Sequence, residues 1–290
     1  FRSSLSFLKH KIMTRSLRLK AANEWLTLSD LKNRHVPASI NDQEKNAIQF
    51  CHQWLNGQQK FVFETSGSTG TPKKIIFKRA QLEASATLTA QALQLQPGYS
   101  ALICLDTNFI AGAMMIVRSL VTGMNMIIQT PSANPLCGIS DEVDFVALVP
   151  YQLATVLDQC SSELNKLKTV IIGGAPLKEE VIDRLQDFSP AFYATYGMTE
   201  TITHVALQKL NGPDRKNFFR LLPGIHASTD NRGCLILTAS HLGRKPIVTN
   251  DIVTLLDERN FRWMGRYDQV INSGGIKVSA EKVEKAVDSV

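Results

Sequence analysis

The chain has 290 residues, of which 44% are hydrophobic and 20% charged, with a formal net charge of +6 at pH 7. That is an ordinary globular balance, enough for one large or two medium domains; no apolar run approaches the ~18 residues of a membrane span, and the most apolar helical stretch is interrupted by Arg118. The basic residues are scattered, which suits nucleotides and carboxylates at least as well as a nucleic-acid backbone, so no nucleic-acid partner is expected.

From Leu5 to Leu55 short helical apolar patterns alternate with breaks. The basic residues between Arg2 and Lys20 read as a solvated helix face, with an RNA or membrane contact as the alternative. Phe1 to Leu8 is too short and broken in its apolar part for a signal peptide. Ser29 or Asp30 would cap a segment starting at Leu31, and Asn41 or Asp42 a helix running to Trp54. Two β-prone runs, Phe61–Phe63 and Ile75–Phe77, flank a loop of small and hydroxylated residues, reading as strand, loop, strand. A helix follows over Arg79–Leu95. Strands at Ala101–Leu105, Met126–Gln129, Phe145–Val149, Val170–Ile172 and Ala191–Thr195 then alternate with helices at Ile110–Thr122, Tyr151–Gln159 and Lys178–Asp187. This alternation is that of an α/β sheet with helices on its faces. Gly112, Met114 and Met115 are pocket-side candidates, although a helical core stripe explains them better.

The pattern then turns antiparallel. Short strands are expected at Leu222–Ile225, Gly233–Thr238, Ile247–Thr249, Ile252–Leu256 and Phe261–Met264. The five cysteines are widely spaced with no C-x-x-C pair, so reduced, buried thiols in a cytoplasmic protein are expected rather than a zinc site or a disulfide framework.

Ligands of open α/β sheets bind where strands end, and three such loops have unusual chemistry. In the loop 65–73, Gly67 and Gly70 let backbone N–H groups approach a guest, while hydroxyls and Lys73 suit phosphate oxygens. A flexible hairpin turn is the plainer alternative, and the Walker A pattern is absent. Gly173-Gly-Ala-Pro176 exposes backbone to a flat guest, or is just a strand-to-helix turn. In Tyr196-Gly-Met-Thr-Glu-Thr201, Tyr196 could stack on a base, Thr199 donate to a phosphate and Glu200 hold a metal; each alone is more often a satisfied polar residue.

Taken together, Thr-Ser-Gly-Ser-Thr-Gly-Thr-Pro-Lys at 65–73, Gly-Gly-Ala-Pro at 173–176 and Tyr-Gly-Met-Thr-Glu-Thr at 196–201 resemble, in order and spacing, the signatures of the adenylate-forming superfamily of acyl-CoA synthetases. Thr249-Asn-Asp251 is similar to that family's Thr-Gly-Asp, with Asn250 in place of glycine in a turn that Asn tolerates if left-handed. Gly265-Arg-Tyr-Asp268 resembles the joint between its large and small domains. The resemblance implies a large N-terminal adenylation domain over residues 1–265, with mixed sheets flanked by helices and a small β-barrel-like unit at about 218–264. Residues 266–290 would be the hinge and the start of a truncated C-terminal small domain.

By the same resemblance the activity is that of an AMP-forming acid–thiol ligase: a carboxylate attacks the α-phosphate of ATP, and a thiol then captures the acyl group. ATP, Mg²⁺ and coenzyme A are the implied cofactors and cosubstrate. Ser66, Gly67, Ser68, Thr69, Gly70 and Lys73 are assigned to the triphosphate; Gly174, Ala175 and Tyr196 to adenine; Thr199 to the α-phosphate and Glu200 to Mg²⁺. Asp251 and Arg266 are assigned to the ribose region, and Asp268 to the hinge. Thr199, Glu200 and Lys73 would be the catalytic set. The compact chain, with Asn108-Phe-Ile-Ala-Gly112 at the acid gate, looks most like the short o-succinylbenzoate–CoA ligases of menaquinone biosynthesis. Another acid, a carrier-protein acceptor, or a non-catalytic nucleotide-binding remnant are the alternatives, and a homodimer is left open. The family's late lysine would fall beyond Val290, so a protein of this sequence alone is expected to adenylate slowly.

Overall fold

A computed structural model of the protein describes residues 17–64, 74–273 and 276–279. Thirteen strands form one mixed sheet, and its parallel part positions the strand-end loops. In chain order the strands of that part are β1 (Arg18–Ala21), β5 (Ser100–Ile103), β6 (Asn125–Ile128), β7 (Phe145–Leu148), β8 (Thr169–Ile172) and β9 (Ala191–Gly197). They lie side by side as β1-β6-β5-β7-β8-β9, all parallel. Such strands bury both faces, hence their continuous apolar runs. Ala101, Ile103, Phe145, Ala147 and Ile171 point into one core. Leu102, Val146, Leu148, Val170 and Ile172 point into the other, the two-residue period of a strand setting the alternation.

Helices cover both faces. α1 (Leu28–Lys32), α2 (Asp42–Leu55), α3 (Arg79–Leu93) and α4 (Ile110–Thr122) come first in the chain, then α5 (Pro150–Gln159) and α6 (Glu179–Arg184). Buried residues of α2, α3 and α4 join the first core, and those of α5 and α6 the second. Asn41 caps α2 in a reciprocal capping box with Glu44. The cap of α1 is Thr27, paired with Asp30, rather than Ser29 or Asp30. Met114 and Met115 are core residues, 0% and 1% exposed. Gly112 sits where a Cβ would meet the Asp106 carbonyl oxygen at 2.3 Å, so its role is close packing of α4.

Several expectations give way here. Residues 18–27 form a β-hairpin, not a helix. β1 pairs antiparallel with β2 (Glu24–Thr27) through a turn in which Ala22 and Asn23 both have positive φ, and parallel with β6. Arg18 and Lys20 accordingly lie on a strand, Arg18 over the Trp25 ring and Lys20 paired with Asp141 at 2.7 Å. Cys137 and Cys160 form a disulfide, their Cα atoms 5.7 Å apart where the end of α5 meets the segment after β6. The other three cysteines are buried and free. A spacing of 23 residues carries no motif, so only the tertiary contact reveals the pair.

After β9 the chain continues antiparallel through β10 (His204–Lys209), β11 (Phe219–Leu221), β12 (His226–Thr229), β13 (Cys234–Thr238), β14 (Ile247–Leu255) and β15 (Asn260–Arg266). Their order outward from β9 is β10-β11-β15-β14-β13-β12, so the antiparallel strands extend the large sheet, and β12 is its last strand among the described residues. The expected barrel-like unit is thus not closed among the described residues. Leu222–Ile225 is a connection between β11 and β12 rather than a strand. The two expected strands either side of Asn250-Asp251 are one, β14. Separate two-stranded ladders join β3 (Lys60–Glu64) to β4 (Lys74–Lys78), and β16 (Val270–Ser273) to β17 (Ile276–Ser279). No helix among the described residues is long and apolar enough to cross a membrane.

Candidate functional site

The C-terminal ends of β7, β8 and β9 form one rim. The Gly173 N–H donates to the Leu148 carbonyl at 3.1 Å, and the Thr195 hydroxyl donates to the Ile172 carbonyl at 3.0 Å. Gly174, at φ +94°, and Ala175 are exposed there. Because Ile172 pairs with Ala194, continuing that register sets Gly174 level with Tyr196. The signature does not start after the strand, since Tyr196 and Gly197 are its last two residues. A single 3-10 turn, Thr199–Thr201, follows. It leaves Glu200 exposed and Thr199 half-buried, with Thr201 buried beneath them. The Thr201 hydroxyl accepts from the Met198 N–H at 2.8 Å and lies 2.7 Å from the Thr203 carbonyl, a donor's distance. Ile202 then takes φ +70° and ψ −60°, closed by a Thr203 N–H to Thr201 carbonyl bond. A fully buried β-branched residue in that conformation stores strain.

Tyr196 reaches across the sheet to β14. Its hydroxyl donates to Asp251 Oδ2 at 2.6 Å, and the Trp263 indole donates to Oδ1 at 3.2 Å. Both groups hold one buried carboxylate, 6% exposed. Burial first, and then the negative charge of Asp251, holds the Tyr196 phenol above its usual range, so it remains the proton donor. The Tyr196 ring packs on Phe219 and edge-on to Phe261, with centroids at 5.8 and 5.2 Å. Tyr196 therefore anchors Asp251. Changing Tyr196→Phe should cost about 1–3 kcal/mol of unfolding free energy, because Asp251 loses a buried donor; urea unfolding measures this, and an unchanged midpoint would refute the anchoring role.

Arg266, at the end of β15, is the ladder partner of Asp251. It forks onto Asp268, Nε to Oδ1 at 3.0 Å and Nη2 to Oδ2 at 2.9 Å. That charge-assisted fork holds Asp268 below the ordinary carboxylate range and Arg266 above the ordinary guanidinium range. The structure thus brings Tyr196, at the end of β9, to Asp251 within β14, with Arg266 and Asp268 beside it at the end of β15, while Gly174, Ala175, Thr199 and Glu200 line the rim beside Tyr196. Asn250 does not adopt a left-handed turn; it is an exposed residue within β14. Ser66, Gly67, Ser68, Thr69, Gly70 and Lys73 lie outside the described residues. The strands that carry their loop are present, with Glu64 opposite Lys74.

Sequence reasoning treated Arg118 only as a break in an apolar run. It is 2% exposed in α4. Its Nη2 donates to the Thr203 hydroxyl at 2.8 Å and its Nη1 lies 3.7 Å from the Met115 sulfur, while its Nε has no partner. Among the described residues no carboxylate pairs with it. Burial pulls its pKa down to about 9, which leaves it a cation at neutral pH. The neighbouring His204 is also buried, and desolvation followed by the charge of Arg118 holds its pKa well below the usual value, so it is neutral. The Thr89 hydroxyl gives its proton to the Ser85 carbonyl at 3.1 Å, so the 3.0 Å contact with His204 Nε2 is donated by the imidazole. A lone cation in an otherwise apolar helix is the signal that could have marked this position, since a buried charge is costly without a partner.

Residues 24–226 match the AMP-binding enzyme family. The chain is 24% identical over 286 residues to the 2-succinylbenzoate–CoA ligase of Lactococcus lactis, covering 90% of this chain and 63% of that one. It is similar to an acyl-CoA synthetase (AMP-forming)/AMP-acid ligase II-like protein from Dyadobacter fermentans, at 40% identity and a TM-score of 0.77, covering 89% of this chain and 74% of the other. Its fold also resembles that of O-succinylbenzoate coenzyme A synthetase from Bacillus subtilis, solved with ATP and magnesium ion, at 19% identity and a TM-score of 0.65, over 78% and 54% of the two chains. The chain spans 63% of the length of the Lactococcus relative. With the family matched from residue 24 to residue 226, and with the strand-end geometry in place, the chain belongs to the AMP-binding enzyme family, that of the AMP-forming acyl-CoA ligases.

Proposed function

We propose that the protein activates a carboxylic acid with ATP and transfers the acyl group to coenzyme A, and that the acid carries a second anionic group, as o-succinylbenzoate does. The acid carboxylate forms a bond to the α-phosphorus and pyrophosphate leaves; the CoA thiol then forms the thioester and AMP leaves. No side-chain nucleophile is required, so positioning and charge neutralisation supply the catalysis. Asp251 is suited to accept hydrogen bonds from the ribose, held in place by Tyr196 and Trp263. Thr199 and Glu200 stand on the rim where phosphates would lie, and Lys73 is assigned to the triphosphate by its motif alone. Glu200 supplies one hard oxygen ligand, which fits Mg²⁺, an ion usually bound through one or two carboxylates plus substrate phosphates. When bound, Mg²⁺ would neutralise charge on the departing pyrophosphate.

The observation that carries the substrate reading is Arg118. A guanidinium buried beside the Met115 sulfur with no carboxylate partner among the described residues has a use if an anion meets it, and it lies one hydrogen bond from the segment that follows Glu200. Pyrophosphate release with ATP, Mg²⁺ and a panel of mono- and dicarboxylic acids tests this. Release with o-succinylbenzoate and not with benzoate is expected. Equal release with monocarboxylates would overturn the dianionic acid, and no release with any acid would overturn the ligase.

A further inference from the structure

Asn250 stands where the resembled motif has glycine, and the structure gives it a partner. Thr249 and Asp251 on either side point inward, 4% and 6% exposed, so Asn250 points out of the sheet. There its Oδ1 accepts from Arg232 Nη1 at 3.2 Å, and the Thr249 carbonyl accepts from Nη2 of the same side chain at 3.3 Å. The guanidinium is itself fixed from behind. Asp230 Oδ2 takes Nε at 2.8 Å, while its Oδ1 accepts the backbone N–H groups of Arg232 and Cys234 at 2.8 and 2.9 Å. The Gly233 N–H closes the turn onto the Asp230 carbonyl at 2.9 Å. On its remaining side the guanidinium lies 5.1 Å from the centre of the Tyr267 ring, one residue before the hinge aspartate Asp268.

We propose that Arg232 is a positioning residue for the nucleotide, clamping the outer side of β14 so that Asp251 is presented correctly on the inner side, and tying that strand to the hinge through Tyr267. The inference rests on the reading of Asp251 as the ribose acceptor. A planar fork held by a carboxylate on a tight turn has lost its rotamer freedom before any ligand arrives, so its grip on Asn250 and Thr249 costs little further entropy. Among the described residues the polar partners of the Arg232 side chain are Asp230, Asn250 and the Thr249 carbonyl, not Asp251, so its effect on nucleotide must pass through the strand. The same guanidinium meets Tyr267 on one side and β14 on the other, so a movement of the hinge residue away from it loosens the support behind Asp251.

The test is AMP binding by titration calorimetry, with urea unfolding alongside, for the unmodified protein and for Arg232→Ala, Arg232→Lys and Asn250→Ala. Arg232→Ala should raise the AMP Kd about tenfold, the equivalent of ~1.4 kcal/mol. Arg232→Lys, which keeps the charge but not the fork, should recover less than half of that loss, and Asn250→Ala should show a smaller rise with little change in unfolding midpoint. Loss of stability with unchanged AMP affinity in all three would reduce Arg232 to a structural brace and overturn the proposal. Full recovery by Arg232→Lys would overturn the fork, leaving only charge. Absence of AMP binding in the unmodified protein would remove the nucleotide reading and this proposal together.

Discussion

Replacing Arg118 with methionine is expected to stabilise the protein while lowering its activity on the acid. The side chain is buried, its Nε is unpaired, and its one oxygen partner is the neutral Thr203 hydroxyl, with no carboxylate paired to it among the described residues. Replacement of such a charge by a packed hydrophobe of similar length is often neutral or stabilising by about 1–4 kcal/mol. The same change should reduce kcat/KM for a dianionic acid by about a hundredfold, or ~2.7 kcal/mol, with the KM for ATP nearly unchanged. Such a trade of stability for function is the mark of a group kept for its ligand. Thermal unfolding and initial-rate kinetics on one preparation measure both. If the variant is less stable and its acid KM is unaltered, Arg118 serves only to brace Thr203, and the dianionic substrate loses its support.

The second large effect is expected at Gly197. A Cβ there would sit 2.4 Å from the Thr203 carbonyl oxygen and 2.5 Å from the His204 Cα. Both are backbone atoms, and Gly197 is the register partner of His204, so neither strand can retreat without breaking the β9–β10 ladder. Gly197→Ala should therefore cost roughly 3 kcal/mol, lowering the Tm by about 5 °C in a chain of this size. The displaced turn carries Thr199 and Glu200, so pyrophosphate release should fall further than the loss of folded protein explains. A variant with the original Tm would show that the turn is looser than its contacts indicate.

Periodicity made the parallel half legible because each of its strands is a short apolar run set off by a helix of the right length. α4 begins and ends where the pattern from Ile110 to Thr122 places it. The same reasoning failed wherever pairing, not pattern, decides. β1 and β2 are four residues each, and their hairpin exists because β1 also docks on β6. β10 was missed because no helix pattern sets it off: it follows β9 after a single 3-10 turn and pairs back onto it antiparallel. Residues 247–255 read as two strands since the polar Asn250-Asp251 pair resembles a turn, yet one residue faces Arg232 and the other faces Tyr196. The motif residues of the candidate site could be named from their order and spacing. Arg118, Trp263 and Arg232 could not, because each acts through a contact made by a distant segment.

The unbroken ladder from β2 to β12 bears on how this protein can be cut and recombined. Residues 218–264 look, on a linear map, like a detachable cassette. In the sheet they are not, because β11 pairs back onto β10 and the Phe219–Phe261 stack shelters Tyr196. A chimaera joined near residue 217 would strip a hydrogen-bonded neighbour from β10 and leave a raw edge, the kind of surface that recruits other chains. Exchange of substrate preference between relatives is better sought by grafting α4 with its preceding loop, which contributes the buried cation without crossing the seam between the parallel and antiparallel strands.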